Sequence, residues 1–156
     1  MKIFITNLGK YTEGYLIGKW VKLPVSEDKL NEVLEAIGIN EYYEEYFITD
    51  YENEIIGIGD VISEYSSVQA LNELAQRLED LSDDEADKLG AVLEYEACRS
   101  VSDVLELLDK LDEFDLLTDV TDDEELGYYY AEEYCCIDIP EHIQPYFDYE
   151  AYGRNI

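Results

Sequence analysis

His142 is the only histidine in the sequence, and it lies between Pro140 and Pro145 with no ligand partner at a recognised spacing. A surface or capping role is the simpler reading, and imidazole catalysis has nothing to build on. Paired carboxylates can do acid–base chemistry, but among 39 Asp and Glu every pair has many rivals, so pairing carries almost no information. A calcium loop around Asp119, Thr121 and Asp123 has Glu124 at its sixth position. The run from Asp80 has Glu85 there, and the EF-hand turn needs Gly at that place. Cys135 and Cys136 are adjacent and no Cys-x-x-Cys occurs, which disfavours zinc. Gly57-Ile58-Gly59 lacks the third glycine of a dinucleotide fingerprint and reads as a turn. The expectation is a protein with no catalytic residue, no metal and no cofactor.

The elements that would position any site can be read from periodicity. Residues 2–6 and 15–23 have strand patterns joined by a Gly-containing loop, and Tyr46–Tyr51 is a third strand. Pro24 ends the second strand, Ser26 caps a helix running to about Ile37, and Gly38 stops it. In the middle, Val68, Leu71, Leu74, Leu78 and Leu81 form one helical stripe. Ser82 with Glu85 is a capping box opening a second helix, whose apolar stripe includes Ala86, Leu89 and Leu93. Ser102 then caps a helix with Val104, Leu105, Leu108 and Leu111 on its buried face, and Phe114–Thr118 reads as a short strand. Thr121 with Glu124 is another capping box, for a helix through about Cys135, and the prolines break the tail into short turns or helices. The fold class expected is α+β in three small domains: 1–60 sheet plus helix, 61–100 helical, and 101–156 acidic and mixed.

Charge is the outlying property. Against the 39 acids stand 10 Lys and Arg, for a net charge of −29 and a pI near 4.1. Apolar residues at 47% still allow real cores, so the chain folds rather than remaining disordered. Residues 1–60 hold 12 acids and 5 bases, 61–100 hold 10 and 3, and 101–156 hold 17 and 2. Such a protein is repelled by nucleic acid and by anionic membranes, which leaves basic proteins or cations as partners. Spread over the roughly 8,000 Å² of a compact protein this size, each net charge has about 280 Å². B-form DNA offers about 110 Å² per charge. Imitation of DNA therefore requires the acids to gather on less than half of the surface, or an elongated shape.

Placement supports a purpose for the acidity. Asp103, Glu106, Asp109 and Glu113 form a stripe opposite the leucines, at one charge per roughly 5 Å of helix. Phosphates along one DNA strand come about every 3.4 Å, but a solvated acidic face would look similar. Asp122, Asp123, Glu124 and Glu125 open a helix, where the dipole welcomes them. Glu132 and Glu133, Glu79 and Asp80, and Glu94 and Glu96 instead sit near helix C-termini, against the dipole. Glu73–Arg77, Asp84–Lys88 and Glu106–Lys110 are spaced as favourable i,i+4 pairs that relieve individual helices. Of the 15 tyrosines, Tyr128-Tyr129-Tyr130 cannot all face a core from one helix, which suggests a surface or self-association contact. The sequence begins with strand-like Lys2–Thr6 instead of a signal peptide, and no apolar run is long enough for a membrane span. The expectation is a cytoplasmic protein with three reduced cysteines.

Phe4-Ile5-Thr6-Asn7-Leu8-Gly9-Lys10-Tyr11 with Glu13-Gly14, Gly18-Lys19-Trp20, Glu44 to Glu52, and Tyr146 to Arg154 together form a pattern beyond generic amphipathicity. In these segments the whole chain resembles the ArdA antirestriction proteins of conjugative elements and phages; Ile55–Ser66 is the least similar stretch. The resemblance implies three small domains in an elongated, curved homodimer, joined through the third-domain side. It implies acids projecting like the phosphates of bent DNA into the DNA-binding groove of a Type I restriction–modification enzyme, at its methyltransferase core. The family's antirestriction motif matches the neighbourhood of Asp119 to Glu133. The phosphate-mimicking acids are then Asp103, Glu106, Asp109, Asp112, Glu113, Asp115, Asp119, Asp122, Asp123, Glu124, Glu125, Glu132 and Glu133. An acidic binding protein for another basic DNA-binding partner predicts the same composition, as does a salt-adapted fold; a carboxylate hydrolase would need a pocket.

Overall fold

The computed structural model describes residues 1–135 and 137–156; Cys136, one of the three cysteines expected to be reduced, lies outside the described residues. Cys98 and Cys135 are free thiols, Cys98 half-buried and Cys135 exposed. The described residues form two compact units, Met1–Asp115 and Leu116–Ile156. The fold is mixed α+β, with one three-stranded antiparallel sheet and seven α-helices among the described residues.

In the first unit β1 (Lys2–Asn7) is the central strand of the order β2-β1-β3, flanked by β2 (Gly18–Lys22) and β3 (Tyr46–Glu52). Ile3 and Ile5 turn one face of β1 inward and are fully buried, as the period-2 alternation requires. Asn7 ends the strand. Its side-chain oxygen accepts from the Lys10 N–H at 2.9 Å and so caps α1 (Leu8–Thr12), while its amide donates to the Ile37 carbonyl at 3.1 Å. That cap explains a correction to the expected second strand. Because β1 becomes helix at Leu8, residues 15 and 16 have no strand to pair with; Ile17 keeps one bond, its carbonyl accepting from the Asn7 N–H at 2.9 Å, and the ladder runs from Thr6↔Gly18.

Helix α2 (Glu27–Ala36) is capped by Ser26 and followed by Gly38 at φ 82, where only glycine is unstrained. The turn at Gly57, at φ 85, runs into a 3₁₀ turn over Ile58–Val61, with Ile58 and Val61 in the core. Helices α3 (Val68–Glu79) and α4 (Asp83–Tyr95) follow, and the Ser82–Glu85 capping box is present with both of its bonds. Asn72 on α3 grips the Val25 backbone from both sides, accepting at 2.9 Å and donating at 2.8 Å. Helix α5 spans Val101–Leu108. One cluster of buried aliphatic side chains, from Ile3 in the sheet to Leu111 after α5, fills this unit.

Three local readings shift in this region. The cap of α5 is Ser100, not Ser102: Ser100 and Asp103 form a capping box, and Val101, exposed by a later start, is buried. The helix then ends at Leu108, and Leu111–Glu113 are a 3₁₀ turn, so the acidic stripe runs across two elements. Phe114 is extended, but Phe114–Thr118 form no strand, since no neighbouring strand supplies a ladder. Among the described residues no strand occurs in 101–156.

The second unit holds α6 (Asp123–Tyr128), a π-helical turn over Tyr129–Tyr134, a 3₁₀ turn at Gln144–Tyr146, and α7 (Tyr149–Gly153). The cap of α6 is Asp122, one residue after the expected Thr121; Thr121 instead gives both its N–H and its hydroxyl to Glu125, at 2.7 and 2.8 Å. Helices α6 and α7 cross where two glycines meet. A Cβ on Gly127 would fall on the Tyr149 carbonyl, and one on Gly153 would fall on the Asp123 carbonyl. Around this crossing the packing is aromatic: Tyr149 meets Tyr128 at 5.5 Å and Phe147 at 4.8 Å between ring centroids.

Candidate partner-binding surface

Every acid reaches solvent. None of the 39 is buried, and all but the half-buried Glu85 and Glu132 are exposed. Exposed carboxylates keep their hydration, so the charge acts outward and adds little to the cohesion of the fold. The first unit carries 28 acids and 9 Lys or Arg, and the second carries 11 acids and Arg154. Arg154 is itself engaged, bonded to Glu150 and, at 3.4 Å, to Asp123.

The expected i,i+4 pairs do not form. Arg77 on α3 reaches Asp109 at the end of α5, at 2.8 Å, instead of Glu73 on its own helix. No ion pair joins Asp84 to Lys88 or Glu106 to Lys110. Long-range geometry places the guanidinium, because a contact between helices already holds one partner still. The other ion pairs of the first unit are Lys2–Glu52, Lys10–Glu13 and Lys29–Glu32. Lys10 also lies over the Tyr43 ring, and the Tyr43 phenol donates to Glu13. That phenol, with Lys10, holds Glu13 below the usual carboxylate range.

The candidate acids fall on both units. Asp103, Glu106, Asp109, Asp112, Glu113 and Asp115 end the first unit; Asp119, Asp122, Asp123, Glu124, Glu125, Glu132 and Glu133 belong to the second. Several also hold the fold. Asp103 accepts from the backbone N–H of Arg99 at 2.8 Å and of Ser100 at 3.1 Å, and the Arg99 bond above all keeps its carboxyl below the ordinary range. Asp122 accepts from the Glu125 N–H at 2.9 Å. Glu106, Asp112, Glu113, Asp115, Asp119 and Glu124 are exposed.

In the π-helical turn that follows α6, Glu132 has a specific partner. The Tyr149 hydroxyl donates to it at 2.5 Å, and this bond pushes the phenol from its ordinary range up to about 12. A raised folded-state value stabilises the protonated form, so this stabilisation is complete below about pH 10 and is lost as the pH rises towards about 12. Spectrophotometric titration should therefore show a late tyrosine component, and Tyr149→Phe should remove it. An unchanged titration curve in the variant would contradict the assignment.

The sequence reading did not find a cleft in the second unit. It has a volume of about 660 Å³ and is lined by Leu116, Leu117 and Val120 together with Tyr128, Tyr129 and Tyr149. Asp119, Asp122, Glu124, Glu125 and Glu133 also line it. No periodicity signals this feature, because Tyr149 comes from the tail and is brought in by the α6–α7 crossing.

The family described as antirestriction protein (ArdA) matches residues 3–156. The chain belongs to the ArdA family. No match was found among curated proteins. As a member of the ArdA family the chain is an antirestriction protein, and proteins of this family are inhibitors. Restriction enzymes are accordingly the class of protein that an ArdA protein engages. Among the described residues no helix is long and apolar enough to cross a membrane.

Proposed function

We propose that this antirestriction protein inhibits Type I restriction–modification enzymes by imitating DNA and occupying the DNA-binding groove of the methyltransferase core. One observation carries the reading: a net charge of −29 borne by carboxylates of which none is buried. The accessible surface of 10585 Å² gives each of the 29 net charges about 365 Å². DNA has about 110 Å² per charge, so an even spread falls short and the acids must be presented in concentrated form. The second unit, with 11 acids against Arg154, and the Asp103–Asp115 segment before it, with six acids against Lys110, are two such concentrations of charge. Pre-positioned carboxylates also avoid the energy that real DNA spends in bending to fit a protein.

The protein would act as a cytoplasmic product of a mobile genetic element and as a homodimer. The exposed Tyr134 ring, at 65%, supports self-association on the tyrosine-rich stretch. The three-domain division at 60/61 and 100/101, and an elongated form, belong to the same proposal.

Competition tests it. Purified protein is added to a Type I methyltransferase already bound to labelled DNA, across a series of salt concentrations. Displacement that weakens as salt rises is expected. No displacement at low salt by demonstrably folded protein would reject the reading and leave an acidic binder of another basic DNA-binding protein.

A further inference from the structure

A phosphate mimic needs only charge, yet the cleft of the second unit offers more than charge. Its volume of about 660 Å³ is within the range of pockets that enclose a ligand group. Its lining combines aliphatic side chains (Leu117, Val120), phenol rings (Tyr128, Tyr129, Tyr149) and carboxylates such as Asp119 and Glu124. No Lys or Arg lines it, and the unit's own guanidinium, Arg154, is engaged by Glu150 and Asp123.

The rings are placed there by particular bonds. Tyr149 is fixed by its hydrogen bond to Glu132, by an edge contact with Phe147 and by a tilted ring contact with Tyr128. Tyr128 and Tyr129 are consecutive and both line the cleft, at the junction where α6 passes into the π-helical turn. Such turns interrupt regular helix geometry and recur at functional sites.

We propose that this cleft seats an arginine side chain of the basic partner. The inference rests on the reading of that partner as a phosphate-binding protein, and it adds a contact that a phosphate could not make. A guanidinium is planar, weakly hydrated and able to stack on a phenol face while its N–H groups meet carboxylates. An apolar group would strand the carboxylates without water, and an anion would be repelled. A lysine ammonium is more strongly hydrated and fits an aromatic wall less well. The cleft therefore favours arginine over lysine, whereas the open acidic surface treats the two alike.

The test uses the isotope-labelled full chain, titrated separately with N-acetyl-arginine amide and N-acetyl-lysine amide. Saturable shifts concentrated at Val120, Tyr128 and Tyr129 are expected, with arginine amide binding about 5-fold more tightly than lysine amide. Tyr128→Leu, at an exposed ring, should bring the two amides to equal affinity. Val120→Trp, which fills the cleft without altering charge, should abolish the localised response to both. Shifts spread over acids of both units, equal for the two amides, would overturn the proposal. Displacement of DNA by the wild-type protein is scored in parallel. Displacement without localised arginine binding overturns the cleft proposal alone. Localised arginine binding without displacement overturns the DNA-mimic reading and leaves the cleft as a receptor for arginine on another basic protein.

Discussion

Replacing Gly127 or Gly153 by alanine is expected to unfold the second unit while leaving the first intact. The two glycines pack α6 on α7 backbone to backbone. Besides the carbonyls already named, a Cβ on Gly127 would lie 2.9 Å from the Gly153 nitrogen, and a Cβ on Gly153 would lie 2.7 Å from the Gly127 nitrogen. These neighbours are main-chain atoms and cannot swing aside as a flexible side chain could. Helices of six and five residues are far too short to persist alone, so each depends on the other. Overpacking of this kind costs about 1–3 kcal/mol and sometimes more. That is severe for a unit of 41 residues, a size at which cores are marginal.

Amide exchange should lose protection across 116–156, with β1 still protected. Gly90→Ala is the matched control. Gly90 lies inside α4 with nothing within 4 Å of the new methyl group, and the change should stabilise by about 0.5–1 kcal/mol. All three variants keep the net charge of −29. If Gly127→Ala and Gly153→Ala lose inhibition while Gly90→Ala retains it, charge acts only when the fold presents it. Wild-type exchange in both crossing variants would refute the packing argument.

The second large effect is expected from removing charge in a block. Glu106→Gln, Asp112→Asn, Glu113→Gln, Asp115→Asn, Asp119→Asn and Glu124→Gln alter exposed acids and leave the caps and ion pairs in place. Each exposed contact is weak, so each single change should reduce inhibition about two-fold, and all six together about 60-fold. The combined variant should also depend less steeply on salt, because fewer screened contacts remain.

A second block, Glu35, Glu41, Glu44, Glu54, Asp60 and Glu64, removes the same amount of charge from another part of the first unit. It should weaken inhibition much less. Equal losses from the two blocks would mean that net charge alone sets binding. A single substitution that abolishes inhibition in folded protein would contradict a distributed interface altogether.

Much of this was legible in the sequence because it is local. Ser26 and the Ser82–Glu85 box cap helices where expected, since a cap involves residues within one turn. The stripe Val68, Leu71, Leu74 is buried because helical period and burial coincide. The three strands were visible in their alternation, and the acidity in the residue count. Errors of one or two residues arose where several caps compete, as at Ser100 against Ser102 and Asp122 against Thr121.

What tertiary structure alone decided are the pairings between segments distant in sequence. Asn7 joins the end of β1 to the end of α2, across 30 residues. Arg77 leaves Glu73 for Asp109, and Glu132 finds Tyr149. The α6–α7 crossing brings Gly127 against Gly153 and thereby forms the cleft. Propensity and periodicity describe one element at a time, so they determined the helices, the strands and the sign of the surface. Partners, register and concavity depend on which elements meet, and that is set by packing free energy summed over the whole chain.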